Sequence, residues 1–376
     1  MGIPTEKFLN LLVENGVRFF TGVPDSLLKH FCLCLDNKVN NVDHIVAANE
    51  GNAIALASGN YLAKGRLPVV YMQNSGLGNA VNPLLSLCDV QVYSIPIFMI
   101  IGWRGEPGKK DEPQHIKQGG VQLELLDTLS IPFKVISGKT SNYAGLVKAL
   151  MNISLEESRP VALLVKKNTF NPINTIKQKF NNKLMSREEA LKIILSFLND
   201  EIIISTTGKA SREIFEFRKQ NGQKHNTDFL TVGSMGHCSS IALGVAIAKP
   251  KRKVFCIDGD GSMIMHLGSI STVGMVQPKN FYHILLNNRV HDSVGGQPTA
   301  ARYIDFCKNV SSIGVRNVFS VNNVSKLEAV LPKFSNTLGP SFLEIIIKPG
   351  SRKDLGRPTT SPIINKKKFM TFTKGK

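Results

Sequence analysis

Lys253-Val-Phe-Cys-Ile-Asp-Gly-Asp-Gly-Ser-Met263 and, downstream, Phe281-Tyr-His-Ile-Leu-Leu-Asn-Asn288 decide how this chain folds. Each begins as an apolar run of strand length and ends in glycine or in side chains with polar oxygens. A strand running into Gly259-Asp260-Gly261, a helical stretch after it and a second strand ending at Asn287-Asn288 form a strand–helix–strand crossover. Between Gly261 and Asn287 lie 25 residues, enough for such a unit. Right-handed crossovers set the two strands side by side with both carboxyl ends on one edge, where open α/β sheets bind their ligands. Asp260 and Asn288 then face each other as hard oxygen donors suited to Mg²⁺, with a diphosphate completing the octahedron. The glycines let backbone N–H groups approach phosphate oxygens, and a helix starting near Ser262 offers its positive end.

The same rhythm extends outward in both directions. Strands are expected near 202–205, 229–232, 254–257, 283–286 and 342–347, with helices over 239–248 and 262–276. In the first half, strands are expected near 18–23, 44–48, 69–73, 97–101, 133–136 and 161–165, with helices such as 25–35, 52–63, 80–87 and 144–151. Near-continuous Val/Ile runs alternating with helices indicate parallel sheets covered on both faces. The polar stretch 166–184, broken by Pro172, reads as a linker, after which Ser186-Arg-Glu-Glu189 is a capping box. The expectation is two doubly wound α/β domains, 1–170 and 186–376, joined by a linker over 171–185.

Composition narrows the partners. The chain has 376 residues, 46 Lys+Arg against 28 Asp+Glu and a net charge of +18, with 42% hydrophobic residues. That apolar content excludes wholesale disorder. No apolar run reaches the roughly 20 residues of a membrane span, and the N-terminus lacks the layout of a signal peptide. The six cysteines are scattered, mostly in apolar runs, so a cytoplasmic setting is expected. Residues 345–376 carry nine Lys/Arg and one Asp, with lysines 366–368, 374 and 376 forming a tail without an assigned role. Aromatics are only 7%, and no zinc-type Cys/His spacing or aromatic–basic RNA motif accompanies the charge. The expectation is no nucleic acid and no membrane, but a small anionic ligand. Competing phosphate motifs fail: Gly138-Lys139-Thr140 has Phe133 where a phosphate loop needs glycine, and 259–264 lacks the third glycine of a dinucleotide turn.

The coupling of Gly-Asp-Gly to Asn-Asn resembles the cofactor motif of the thiamine diphosphate enzymes. The resemblance implies a pyrimidine-binding first domain and a pyrophosphate-binding second one, with no middle domain. It also implies a homodimer or higher homo-oligomer with active sites between subunits. Asp260, Asn288 and the carbonyl of Val290 would hold Mg²⁺. Gly233-Ser234-Met235-Gly236, after the strand 229–232, is similar to the segment beneath the cofactor, with Met235 enforcing its bent shape and the Gly233 carbonyl accepting from its amino group. Thr207 and Gly208 would contact the diphosphate with Gly259, Gly261 and Ser262. Ala47-Ala-Asn-Glu50-Gly-Asn-Ala53 supplies the glutamate the family requires: Glu50 would hydrogen-bond the aminopyrimidine and so promote loss of the thiazolium C2 proton. The cofactor then carries the hard step of decarboxylating a 2-keto acid.

Longer stretches resemble one branch of that family, the phosphonopyruvate decarboxylases. They are Phe20-Thr-Gly-Val-Pro-Asp-Ser-Leu27, Gly102-Trp-Arg-Gly-Glu-Pro-Gly108 with Asp111-Glu-Pro-Gln-His115, His291-Asp-Ser-Val-Gly-Gly-Gln-Pro-Thr299 and Asp354-Leu-Gly-Arg-Pro358. The resemblance implies conversion of 3-phosphonopyruvate to phosphonoacetaldehyde and CO₂ in phosphonate biosynthesis. Asp25 and His115 fall where related decarboxylases handle the proton after CO₂ loss. A substrate with a carboxylate and a phosphonate needs cations with forked or multiple donors. Arg104, Lys109, Lys110, His115 and Lys117 lie in one Gly/Pro-rich loop beside Trp103, expected to order over the substrate, and Arg352, Lys353 and Arg357 offer a second group. His291 and Gln297 are further candidates for substrate contact. A sulfopyruvate decarboxylase is the nearest alternative; a non-enzymatic basic binding module would leave Glu50, Asp260 and Asn288 as coincidence.

Overall fold

Twelve strands fall into two six-stranded sheets in a computed structural model that describes residues 2–37, 42–173 and 183–375. The first sheet contains β1 (Phe19–Gly22), β2 (Asp43–Val46), β3 (Val69–Gln73), β4 (Ile97–Gly102), β5 (Phe133–Ile136) and β6 (Pro160–Val165). The second contains β7 (Ile202–Ser205), β8 (Asp228–Leu230), β9 (Val254–Gly259), β10 (Phe281–Asn287), β11 (Asn317–Val321) and β12 (Ser341–Ile346). Every strand pair is parallel. Their orders, β2-β1-β3-β4-β6-β5 and β11-β12-β10-β9-β7-β8, are the same topology, strand for strand, read from opposite edges. In each, the chain reverses direction across the sheet after its second strand, which makes a switch point between β1 and β3 and another between β7 and β9. Crevices outside the carboxyl ends at such points are the ligand sites of open α/β sheets.

The chain divides into two compact units, Met1–Gln178 with Val294–Gln297, and Lys179–Ser293 with Pro298–Lys376. Within each, strand side chains alternate between two apolar layers. Tyr71, Phe98, Ile100 and Leu163 face one layer of the first unit with Phe8 and Phe31, while Met72, Met99, Ile101 and Leu164 face the other with Ile54 and Leu77. Phe255, Ile257 and Ile284 face one layer of the second unit with Leu191 and Phe334; Val254, Cys256 and Leu285 face the other with Ala242 and Val273. Burial on both faces is why these strands read as unbroken apolar runs. The capping box forms: Ser186 Oγ accepts from the Glu189 N–H at 3.1 Å, and Glu189 accepts from the Ser186 N–H at 2.7 Å.

Three expectations need correction. The helix expected from 25 starts at Lys29, because the N–H groups of Leu27 and Leu28 are drawn to the Asp25 carboxylate at 3.0 and 3.3 Å, a local side-chain bond that competes with helix. Strand β11 was not anticipated: it is a half-exposed edge strand paired only with β12. The basic tail is a helix, Pro362–Lys374, docked along β8. There the Asn365 side chain accepts from Leu230 N at 3.2 Å and donates to Asp228 O at 2.8 Å, while Phe369 is buried beside Phe229. Lys366, Lys367 and Lys368 stay exposed on its outer side. Most of the expected linker, 174–182, lies outside the described residues. Among the described residues, no helix is long and apolar enough to cross a membrane.

Candidate active site

The carboxyl edge of the second sheet gathers the oxygen donors. Leu286 of β10 is in register with Gly259 of β9, so Asp260 and Asn288 follow at adjoining strand ends. Asp260 is buried; its carboxylate accepts from Thr299 Oγ1 at 2.5 Å and from the backbone N–H of Asn288. Burial pushes its carboxyl up to about 6, these hydrogen bonds only partly offsetting the cost of desolvating the charge. Asn288 is also buried, with its side-chain oxygen accepting from Val290 N at 3.1 Å. Its neighbour Asn287 turns away and donates to Glu344 of β12 at 2.8 Å. A desolvated carboxylate beside an amide oxygen and the nearby Val290 carbonyl is a donor set that fits a hard divalent cation.

Three loop ends meet around Ser262. Its hydroxyl accepts from Thr206 Oγ1 at 3.0 Å and from Gly236 N at 3.1 Å, joining the segments after β7, β8 and β9. Gly208 has φ +97°, and a Cβ on Gly261 would stand 3.2 Å from the His291 ring and 3.4 Å from Met235 Cε. Gly259 has open space on its Cβ side, so the backbone is accessible there to a phosphate. Of the other candidates here, Gly233 is half-buried and Ser234 exposed, with φ +53°. The loop after β10 is clamped through Asp292, which pairs with Arg187 at 3.2 Å and Lys209 at 3.3 Å, while Arg187 also grips Glu213 at 2.7 and 2.9 Å.

The first unit's strand ends hold buried titratable groups. Asn49 caps the helix Glu50–Lys64 by accepting from Asn52 N at 2.9 Å, which places Glu50 in the first turn. Glu50 is 5% exposed; burial raises its pKa, and Asn79 donates to its Oε2 at 2.8 Å. Gly76, at the end of β3, leaves room for it: a Cβ there would sit 2.3 Å from Glu50 Oε1. Asp25 is buried after β1, pushed up to about 6 by desolvation, which the Leu27 N–H and the Arg104 charge only partly oppose. A Cβ on Gly102 would strike its Oδ2 at 2.1 Å.

Arg104 is fixed on three sides. It donates from Nε to Asp111 at 2.8 Å, from Nη2 to the same carboxylate and from Nη1 to Ser26 at 3.0 Å, while its backbone exchanges hydrogen bonds with the Asn74 side chain at 2.9 and 3.1 Å. Burial alone would raise the Asp111 carboxyl, but Arg104 and the Gly105 N–H hold it at about 2. His115 is buried in the helix Pro113–Gly120; desolvation and then the Arg104 charge lower its pKa to about 4, so it is neutral at pH 7. Its Nδ1 has no hydrogen-bond partner. The carbonyl of His115 lies 1.9 Å from where a Cβ on Gly105 would be, so only glycine lets this helix close on the loop.

The five basic residues expected in one loop therefore divide: His115 and Lys117 lie in the helix Pro113–Gly120, and His115 is neutral. Arg104 and His115 turn inward, whereas Lys109, Lys110 and Lys117 are exposed. Arg352 is engaged by Glu188 at 3.3 Å, Asp354 at 2.9 Å and Glu216, and Lys353 and Arg357 are exposed. Gln297 is buried with neither side-chain amide atom hydrogen-bonded. Asn79, Gly76 and Asn74 had no signal in their own sequence neighbourhoods, and Thr299, though it closes the stretch from His291, had none for its bond to Asp260; each acts through a residue brought to it by the fold.

Twin switch-point sheets, a glycine-lined edge with hard oxygen donors and a buried glutamate define a two-domain α/β enzyme class that works through a bound diphosphate cofactor. Residues 5–131 match the thiamine pyrophosphate enzyme N-terminal TPP binding domain, and residues 206–345 match the C-terminal one. The chain is 34% identical to a phosphonopyruvate decarboxylase of Streptomyces viridochromogenes, over 95% of this chain and 91% of that protein. It is 32% identical to one of Streptomyces hygroscopicus, over 98% and 94%. A sulfopyruvate decarboxylase of Methanosarcina acetivorans is 28% identical, over 93% and 92%. The chain belongs to the family of thiamine diphosphate-dependent 2-keto acid decarboxylases, which are carbon–carbon lyases.

Proposed function

We propose that this enzyme decarboxylates 3-phosphonopyruvate to phosphonoacetaldehyde, with thiamine diphosphate and Mg²⁺, in phosphonate biosynthesis. The C1–C2 bond breaks, CO₂ leaves and a proton is delivered to C2. When bound, the thiazolium supplies the nucleophile for the keto carbon and the sink for the electron pair released with CO₂. Asp260, Asn288 and the Val290 carbonyl are the proposed Mg²⁺ ligands; Thr207, Gly208, Gly233, Ser234, Met235, Gly259, Gly261 and Ser262 the proposed cofactor contacts. Glu50, with its pKa raised by burial, holds a proton for the pyrimidine ring nitrogen. Asp25, pushed up to about 6 by desolvation, would deliver the proton to the product carbon from its protonated fraction, with neutral His115 the second proton-handling candidate.

The observation that supports the substrate is Arg104, held bidentately by Asp111 beside Asp25 and His115. A guanidinium oriented in advance suits a multiply charged acid, with Lys109, His291, Gln297 and Arg352 the further substrate candidates. The first unit would serve as pyrimidine-binding domain (1–170) and the second as pyrophosphate-binding domain (186–376). A homo-oligomer would bring Glu50 of one chain to a cofactor held by another. The free cysteines suit a reducing, cytoplasmic setting. The sulfopyruvate relative makes the sulfonate the second reading. Comparing kcat/KM for CO₂ release from 3-phosphonopyruvate, sulfopyruvate and pyruvate tests the proposal: phosphonopyruvate is expected to lead, and a lead by either other acid refutes it.

A further inference from the structure

The layer of the second sheet beneath the helix Cys238–Ala248 is built mainly of apolar side chains and encloses one cluster of potential metal ligands. Cys256 and Asp258 point into it from β9, His283 is in register with Cys256 on β10, and Cys238 opens the helix. All four are no more than 2% exposed. One sulfur of each cysteine and one Asp258 oxygen lie within 4.8 Å of one another. The two sulfurs are 3.5 Å apart, and His283 Nε2 is 3.7 Å from Asp258 Oδ2. Asp258 Oδ1 is occupied by Gly259 N at 2.9 Å, which leaves Oδ2 for this cluster. The imidazole is met edge-on by Phe281 and Phe342, at 6.1 and 5.3 Å between centroids, and neither ring nitrogen has a hydrogen-bond partner. The imidazole sits against Asp258 and Cys256, at the border of three buried ligand atoms that already lie mutually within 4.8 Å. A buried group of two thiols, a carboxylate and an imidazole is a donor set for a metal ion.

We propose that Cys238, Cys256, Asp258 and His283 form a closed, structural site for a zinc-class divalent ion. Zn–S bonds of about 2.3 Å place two tetrahedral sulfurs about 3.8 Å apart, and Zn–N and Zn–O bonds of about 2.0–2.1 Å give an N···O edge of about 3.4 Å. The observed 3.5 and 3.7 Å edges need adjustments of about 0.3 Å. The His283 ring, whose nitrogens are outside the 4.8 Å group, must swing inward by about 1 Å or more to reach an S···N edge of about 3.5 Å. Two thiolates, an imidazole and a carboxylate select a borderline-soft ion over Mg²⁺ or Ca²⁺, unlike the all-oxygen set two residues further on at Asp260. On binding, any protons held by the two thiols and by the imidazole leave to solvent, and the imidazole nitrogen then donates its lone pair. Four protein ligands leave no open position, so the ion would tie β9, β10 and the helix start together directly below Asp260 and Asn288. The alternative state is metal-free, with the Cys238 thiol 3.5 and 3.6 Å from the carbonyls of Ile204 and Ile257.

Expressing the full chain in zinc-depleted, cobalt-supplemented medium, and purifying it with Mg²⁺ and thiamine diphosphate present, separates the two states. One cobalt per chain with a thiolate-to-cobalt charge-transfer band and the strong visible bands of a tetrahedral ion is the expected result. Cys256→Ser should abolish the charge-transfer band and Cys307→Ser, at a thiol outside the cluster, should keep it. A folded wild-type chain without that band overturns the proposal, as does a band undiminished in both Cys238→Ser and Cys256→Ser. X-ray absorption of zinc-loaded wild type decides independently of how the variants fold: two sulfurs in the first shell support the site, and a shell without sulfur overturns it.

Discussion

Replacing Gly76 by alanine isolates the geometry of Glu50 without removing any polar group. Gly76 has φ −77° and ψ −15°, a conformation alanine prefers, so backbone terms alone would stabilise the variant by about 0.4–1 kcal/mol. The new methyl, however, would lie 2.3, 2.4 and 2.5 Å from Oε1, Cγ and Cδ of Glu50. Restoring ordinary contact requires Glu50 to retreat by about 1 Å. Its 2.8 Å bond to Asn79 then stretches beyond hydrogen-bonding range, leaving a buried carboxyl unsatisfied at about 1–3 kcal/mol. The net expectation is destabilisation by about 1–2 kcal/mol, a fall in Tm of several degrees. A displacement of about 1 Å in a catalytic group is worth roughly a hundredfold in rate, so kcat/KM should fall by about that factor. Gly78, two residues on in the helix Leu77–Pro83, meets nothing within 4 Å, and Gly78→Ala should keep full activity with equal or higher stability. Steady-state decarboxylation and thermal unfolding on the three proteins suffice. Wild-type kcat/KM in Gly76→Ala would refute both the packing argument and the role assigned to Glu50.

Thr299→Val removes the hydroxyl that steadies Asp260 and should weaken Mg²⁺-supported thiamine diphosphate binding about 10–100-fold by calorimetry; Thr299→Ser should restore it, and unchanged affinity in the valine variant would exclude the positioning role. Asp25 titrates near 6 in the folded chain against 3.8 in its unperturbed state, so the native protein holds a proton the unfolded chain has released between those values. Stability should therefore fall by up to about 3 kcal/mol as pH rises from about 4 to about 6. Asp25→Asn should reduce the slope of that segment of a urea-unfolding profile, to which Asp260 and Glu50 also contribute, while losing activity; an unaltered slope would count against the burial argument. Asn365→Ala removes two hydrogen bonds between the C-terminal helix and β8, and should cost about 2 kcal/mol in the same unfolding assay, whereas a midpoint equal to wild type would mean that the helix is not an integral part of the second unit.

Much of the fold was legible because its signals are local. Parallel strands buried on both faces are apolar at every position, and the glycines and asparagines that end β9 and β10 interrupt those runs. The capping box at Ser186 is likewise a four-residue code. Strand β11 lacked that signature, since Asn317–Val321 lies at a sheet edge with mixed exposure and needs no continuous apolar run. The start of the helix at Lys29 was hidden because it depends on an Asp25 carboxylate capturing two backbone N–H groups. Similarly, Asn287 and Asn288 are indistinguishable as letters, and only the presence of Glu344 on β12 commits the first to a strand-to-strand bond.

The chain's own order of residues determined where the candidate site residues fall: Glu50 opening a helix, Asp260 after a glycine, Asn288 one crossover later. It also set the excess of positive charge. Only the tertiary structure decided what that charge is doing. Arg104 is bound by Asp111 beside a buried Asp25, Arg352 is surrounded by three carboxylates, and Lys109, Lys110 and Lys117 are exposed. Which carboxyls sit near pKa 6, and which histidine is neutral at pH 7, were settled in the same way. The physical reason is that desolvation and ion pairing depend on neighbours distant in sequence, whereas strand ends and helix caps are written within a few residues.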